Sequence, residues 1–143
     1  MHGSLLFLLV VFVSSLSAEP LLKLESPIKG QFSGGEQRSY EIPLSSGDFV
    51  RIVVDQVNID LVLSIHDFEG KPNFVWDQEH RNQGRETLDF VVDRPGNYQL
   101  EVRAVLKSAP QGGYEIRLEE IRTATDHDRL LFQARKNLLD VPS

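Results

Sequence analysis

Three histidines, His66, His80 and His127, and four carboxylates, Asp55, Asp60, Asp67 and Glu69, are the residues of this 143-residue chain whose chemistry invites a site. A hydrolytic centre needs a nucleophile, a base and an orienting group within hydrogen-bond reach of one another. The histidines fall instead on an alternating stretch, a polar loop and a helical stretch, and the serines sit in turns without a Gly-x-Ser-x-Gly elbow. No HExxH, phosphate loop or dinucleotide fingerprint occurs. With no cysteine, thiolate nucleophiles, cysteine zinc sites and disulfides are excluded. No catalytic residue is assigned, and a protein without enzymatic activity is expected.

Metal binding would have to rest on oxygen. Calcium takes several oxygen ligands at once, and Asp55, Asp60, Asp67 and Glu69 flank two central apolar stretches without an Asp-x-Asp-x-Asp loop. Turn capping by Asp60 and solvation of the others account for them, so no metal is expected and calcium on these four is a minor alternative. Phe74 and Trp76 share one face beside a long polar loop; exposed, they would stack on a sugar or a protein, but alternate large aromatics are normally core.

The elements that must position these groups begin with the stretch 47–70, GDFVRIVVDQVNIDLVLSIHDFEG. Val50, Ile52 and Val54 alternate with Arg51 and Asp55, then Leu61, Leu63 and Ile65 alternate with Val62, Ser64 and His66, the period of two strands. Before it, Pro27 suits an edge strand over residues 28–32, and Tyr40, Ile42 and Leu44 mark a strand over 38–44. After it, residues 73–78 read as a strand, and DQEHRNQGR over 77–85 as a loop. Leu88, Phe90 and Val92 alternate next, DRPG over 93–96 is a turn, and Tyr98, Leu100, Val102 and Ala104 face inward against Asn97, Gln99, Glu101 and Arg103. SAPQGG over 108–113 is a loop before a last strand carrying Tyr114, Ile116 and Leu118. About eight short strands with Gly- and Pro-rich turns predict an all-β antiparallel sandwich.

At Thr123 the period changes. Thr125 with Asp128 is nearly a capping box, and His127, Leu130, Leu131, Ala134 and Leu138 recur at helical spacing up to about Asp140, ahead of Pro142. The Leu130, Leu131 and Leu138 stripe must be covered by the sandwich, a second copy or further helical repeats.

At the other end, the apolar run LLFLLVVFV over 5–13 and the small, polar SSLSA over 14–18 have signal-peptide architecture, with cleavage after Ser17 or Ala18, although the n-region lacks Lys and Arg. The run is too short for a membrane span, which takes about 20 residues. No Asp, Glu, Lys or Arg lies in that leader, so the net charge of −6 belongs to the remainder, where basic and acidic residues intermix. That disfavours a nucleic-acid partner, which needs a basic face.

The order of the pieces resembles a known family. The Gly34–Gly35 turn, Tyr40, the strand after Gly47, Asp60 opening DLVLSIHDFEG, then GNYQLEV from Gly96 and GGYEIRLEE from Gly112 are similar to the bacterial pre-peptidase C-terminal domain, a secreted β-sandwich. The resemblance covers residues 27–121, and its more specific part is the pair of Gly-x-Tyr strand starts, Gly96 with Tyr98 and Gly112 with Tyr114. A narrower likeness over residues 119–134, with Arg122, Ala124, Thr125, Asp128 and Ala134, resembles the junction where such a sandwich precedes tetratricopeptide repeats or a caspase-like CHAT region; here one helix ends the sequence, as in a stand-alone version or a truncated product. The resemblance implies a non-catalytic accessory module and supplies no site.

The expectations are therefore a signal peptide over 1–18, a sandwich over 19–122 and a terminal helix over 123–143, exported to the periplasm or the medium. A monomer or weak self-associate binding a protein partner or attached helical repeats through Leu130, Leu131 and Leu138 leads. Polysaccharide binding through Phe74 and Trp76 is second, and a hydrolase a distant third.

Overall fold

A computed structural model describes residues 20–69, 72–76 and 83–139, with the backbone alone for 72–76, 83 and 139. The described strands are β1 (Ile28–Phe32), β2 (Gln37–Leu44), β3 (Asp48–Val57), β4 (Leu61–His66), β5 (Pro72–Trp76), β6 (Gln83–Val91), β7 (Gly96–Ala104) and β8 (Gly112–Thr123), followed by helix α1 (Asp126–Leu139). They form two antiparallel four-stranded sheets, ordered β1-β8-β3-β6 and β2-β7-β4-β5. Alternation dictates the layering. Val50, Ile52 and Val54 of β3, Leu88 and Phe90 of β6 and Ile116 and Leu118 of β8 are buried against Ile42 of β2, Leu61, Leu63 and Ile65 of β4 and Leu100 and Val102 of β7. The expected all-β sandwich with a terminal helix is the observed fold. The leader lies outside the described residues.

Edges β1 and β2 lie on one side of the sandwich, and the segment after Pro20 closes the seam between them. Leu22 N donates to the Glu41 carbonyl at 3.0 Å, Glu41 N donates to the Pro20 carbonyl at 3.0 Å, and Leu24 then bridges to Leu118 in the other sheet. Leu22 is 1% exposed and joins the core. Farther along the same seam, Arg38 Nη1 donates to the Tyr114 hydroxyl, which shares a 3.0 Å hydrogen bond with the hydroxyl of Tyr40 in the opposite sheet. Burial, then the bond to Tyr114, raises the Tyr40 pKa well above that of an ordinary phenol.

The two Gly-x-Tyr starts have different physical reasons. A Cβ on Gly112 would lie 2.5 Å from the Val57 carbonyl oxygen and 2.6 Å from Ile59 Cβ, so only glycine permits the approach of β8 to the β3–β4 connection. Tyr98 is held from its tip: its hydroxyl donates to the Arg94 carbonyl at 2.7 Å, a tyrosine corner that ties β7 to the DRPG turn.

Two boundaries depart from the sequence reading: Thr123, expected with the helix, is the last residue of β8, and β6 begins early. Residues 83–85, expected in the polar loop, already belong to β6, where Gln83, Gly84 and Arg85 pair with Val57, Gln56 and Asp55. The Arg85 guanidinium donates to Asp55 at 2.8 Å, a cross-strand partner that no local periodicity can reveal.

Candidate functional site

The terminal helix is positioned by its own first turn. Ala124 N donates to the Gly47 carbonyl at 2.8 Å, carrying the β8 chain over the β2–β3 turn, where Gly47 has a φ of 82°. Thr125 then caps: Asp128 N donates to Thr125 Oγ1 at 3.2 Å and Thr125 N donates to Asp128 Oδ2 at 2.7 Å, a capping box with aspartate as its acid. Arg122 grips the same carboxylate, Nη1 to Oδ2 at 2.6 Å and Nη2 to Oδ1 at 3.1 Å, while its Nε donates to Glu120 at 2.7 Å. Its guanidinium lies 4.1 Å from the Phe49 ring centroid. Arg122 first, and the Thr125 amide after it, hold Asp128 well below the usual carboxylate range.

This clamp sets the rotation of α1. The side turned to the sheet carries Phe132, packed on the cluster of Phe49, Val91 and Ala124 on the outer face of β1-β8-β3-β6. Beside that contact a cleft of about 250 Å³ lies between helix and sheet, lined in part by Arg51, Leu131 and Arg135. The outward side carries Leu130, 70% exposed, Leu138, 77% exposed, and at its margin Leu131, 46% exposed. The sequence reading picked those leucines and overlooked Phe132. What distinguishes Phe132 is its place relative to Asp128, one helical turn on, which the Arg122 clamp turns toward the sheet.

The other candidates are not gathered. His66 lies on the outer face of the β2-β7-β4-β5 sheet, its Nε2 3.5 Å from Glu101 Oε2, whereas His127 is exposed on α1 across the sandwich. His80 lies outside the described residues. Asp55 sits on the outer face of β3, bound by Arg85 at 2.8 Å and Arg117 at 2.8 Å, and Arg85 foremost lowers its pKa. Asp60 precedes β4 while Asp67 and Glu69 follow it, so six strand residues separate them. Asp67 Oδ1 accepts the Glu69 amide at 2.9 Å, an Asx turn. Among the described residues no three His, Asp or Glu side chains converge as metal ligands. Trp76 and Phe74 register opposite Leu63 and Ile65; their side chains lie outside the described ones.

Sequence reasoning also passed over Phe68, at the tip after β4. It is 48% exposed, with the Arg94 guanidinium 5.0 Å from its ring centroid. A Cβ on Gly96 would meet its ring at 2.6 Å, so the bare glycine seats the ring at the surface. The only signal was the glycine of the DRPG turn.

No protein-family model matches the sequence, and no curated protein matches it. Among solved structures, the pre-peptidase C-terminal domain of collagenase from Bacillus anthracis superposes with a TM-score of 0.51 at 19% identity, over 73% of this chain and 94% of that one. The fold is a pre-peptidase C-terminal-like β-sandwich. Aeromonas hydrophila PliG, a periplasmic lysozyme inhibitor of g-type lysozyme, is similar to the same sandwich, with a TM-score of 0.52 at 16% identity over 68% of this chain and 90% of that one. At these identities the likeness is one of fold.

Proposed function

We propose that this chain is an exported, non-catalytic accessory module that binds a protein partner, or helical repeats attached to it, through the outward face of α1. The observation that carries the reading is the orientation of the helix: its own docking uses Phe132 and the Arg122 clamp, leaving Leu130 and Leu138 with most of their surface in water. Exposed leucines on an already anchored helix are apolar surface available to a partner at little further ordering cost. Export rests on the 5–18 leader, and the described helix is not long and apolar enough to cross a membrane. A protein partner also accords with the similarity to PliG, which inhibits a lysozyme.

The test is co-purification from the envelope and medium fractions. A partner retained by the wild-type protein, lost with Leu130→Ala/Leu138→Ala and kept with Trp76→Ala supports the reading. Retention on insoluble glycans that ignores the leucines overturns it.

Polysaccharide binding is the second reading, and Phe68 is what favours it. A seated, half-exposed ring with a cation beside it is a stacking surface. Loss of glycan retention in Phe68→Ala or Trp76→Ala would select it.

A further inference from the structure

The outer face of the β1-β8-β3-β6 sheet carries two rows of alternating charge that run across the strands. In one, Lys29 meets Glu115 at 3.1 Å, Glu115 meets Arg117 at 2.7 Å, Arg117 meets Asp55 at 2.8 Å, and Asp55 meets Arg85 at 2.8 Å. In the other, Asp89 meets Arg51 at 2.8 Å, Arg51 meets Glu120 at 4.0 Å, Glu120 meets Arg122 at 2.7 Å, and Arg122 meets Asp128 at 2.6 Å. Both rows reach the sheet edge on β6, the first with a cation, Arg85, and the second with an anion, Asp89.

Those two residues stand symmetrically about Thr87. Were a second β6 laid antiparallel beside the first, with the two-fold axis at Thr87, Arg85 of each copy would lie opposite Asp89 of the other. Directly opposed Cβ atoms in such a pair are about 4.5–5.5 Å apart, the range in which opposite charges stabilise a sheet and like charges oppose it. The signs then alternate without interruption from Lys29 of one copy, through Arg85 and the facing Asp89, to Asp128 of the other. Among the described residues β6 has a strand neighbour on one side only, and a strand edge without a neighbour can pair with a strand of another chain.

We infer that β6 is an isologous self-association edge, and that its occupant is β6 of a second copy of this chain. Two sheets join across it into one continuous eight-stranded sheet. The inference uses the strand edge and not the leucine face of α1, so it stands or falls separately from the proposed function.

Sedimentation of the purified full chain tests it. The wild-type protein is expected to dimerise, and less so in high salt. Arg85→Glu and Asp89→Lys each place like charges across both contacts and are expected to weaken the dimer at least about tenfold. An equimolar mixture of the two variants is expected to recover it, since Glu at 85 then faces Lys at 89 and native Asp89 faces native Arg85. Thr87→Lys sets two cations at the dyad without touching an intramolecular ion pair, and is expected to be monomeric with an unchanged circular dichroism spectrum. A wild-type monomer at the highest soluble concentration, dimeric Thr87→Lys, or a mixture of folded single variants that stays monomeric would overturn the inference.

Discussion

Asp128 accepts two hydrogen bonds from the Arg122 guanidinium, at 2.6 and 3.1 Å, and a third from the Thr125 amide at 2.7 Å. One carboxylate therefore caps the helix and ties it to the last strand. The dipole of α1 favours that charge in its first turn as well.

Acid should loosen the helix through this group. Because the folded-state pKa of Asp128 is depressed, its contribution is complete above the unfolded value of about 3.9 and is lost as pH falls through the folded value. The wild-type melting temperature is expected to fall below about pH 4, and Asp128→Asn to start lower at neutral pH and fall less steeply. Thermal melts from pH 7 to 2 check this, by comparison of the two proteins, since Glu36, Asp55 and Glu115 are lowered in the same sense.

Phe132 and Leu130 should behave oppositely. Truncating Phe132 removes the contact with Phe49, Val91 and Ala124; Phe132→Ala is expected to cost about 1–3 kcal/mol, below the 3–5 of a fully buried phenylalanine, because the ring is only partly covered. Leu130→Ala is expected to stay within about 0.5 kcal/mol of the wild type. Urea unfolding followed by helical ellipticity measures both.

Much of this was legible in the sequence, and the losses have a common cause. Tyr98, Leu100, Val102 and Ala104 alternate strictly because β7 has one wet face, and their inward placement follows from period two alone. Val53 does not obey: it is on the outer face of β3 yet 2% exposed, between the charged rows of its neighbours. Arg85 falls in a polar run because its partner Asp55 is 30 positions away, and nothing local marks Leu22 as core, because the seam that it fills exists only once β1 and β2 are edges. Phe132 was missed for the same reason, since a leucine stripe dominates the helical period until the Arg122 clamp fixes which side faces the sheet.

The seam makes a prediction of its own. Leu22→Ala is expected to cost about 2–5 kcal/mol, as a fully buried leucine does, whereas Leu24→Ala, 45% exposed at the same strap, is expected to lose under about 1 kcal/mol. Denaturant midpoints of the two variants separate the outcomes.

Calcium should leave the protein unmoved. Asp55 is already neutralised by Arg85 and Arg117, and Asp60 and Asp67 lie beyond opposite ends of β4. Melting temperatures with excess calcium and with chelator are expected to coincide; a rise with calcium, abolished by Asp67→Asn, would require a site that includes this turn.

Alkali should act at the Tyr40–Tyr114 pair. The raised folded-state pKa of Tyr40 means that its contribution is complete below the phenol's unfolded value of about 10 and is lost as pH rises through the folded value. Tyr40→Phe is expected to flatten the loss of stability above about pH 10, read by thermal melts in alkaline buffers.

The most direct measurement is photo-crosslinking in cells from a reactive amino acid placed at position 130, then at 138, with position 97 on the exposed face of β7 as the control. Discrete adducts with another protein from 130 and 138 but not from 97 are what a leucine-faced binding module must give. No adduct, adducts equal to those from 97, or adducts only with a second copy of this chain would contradict it.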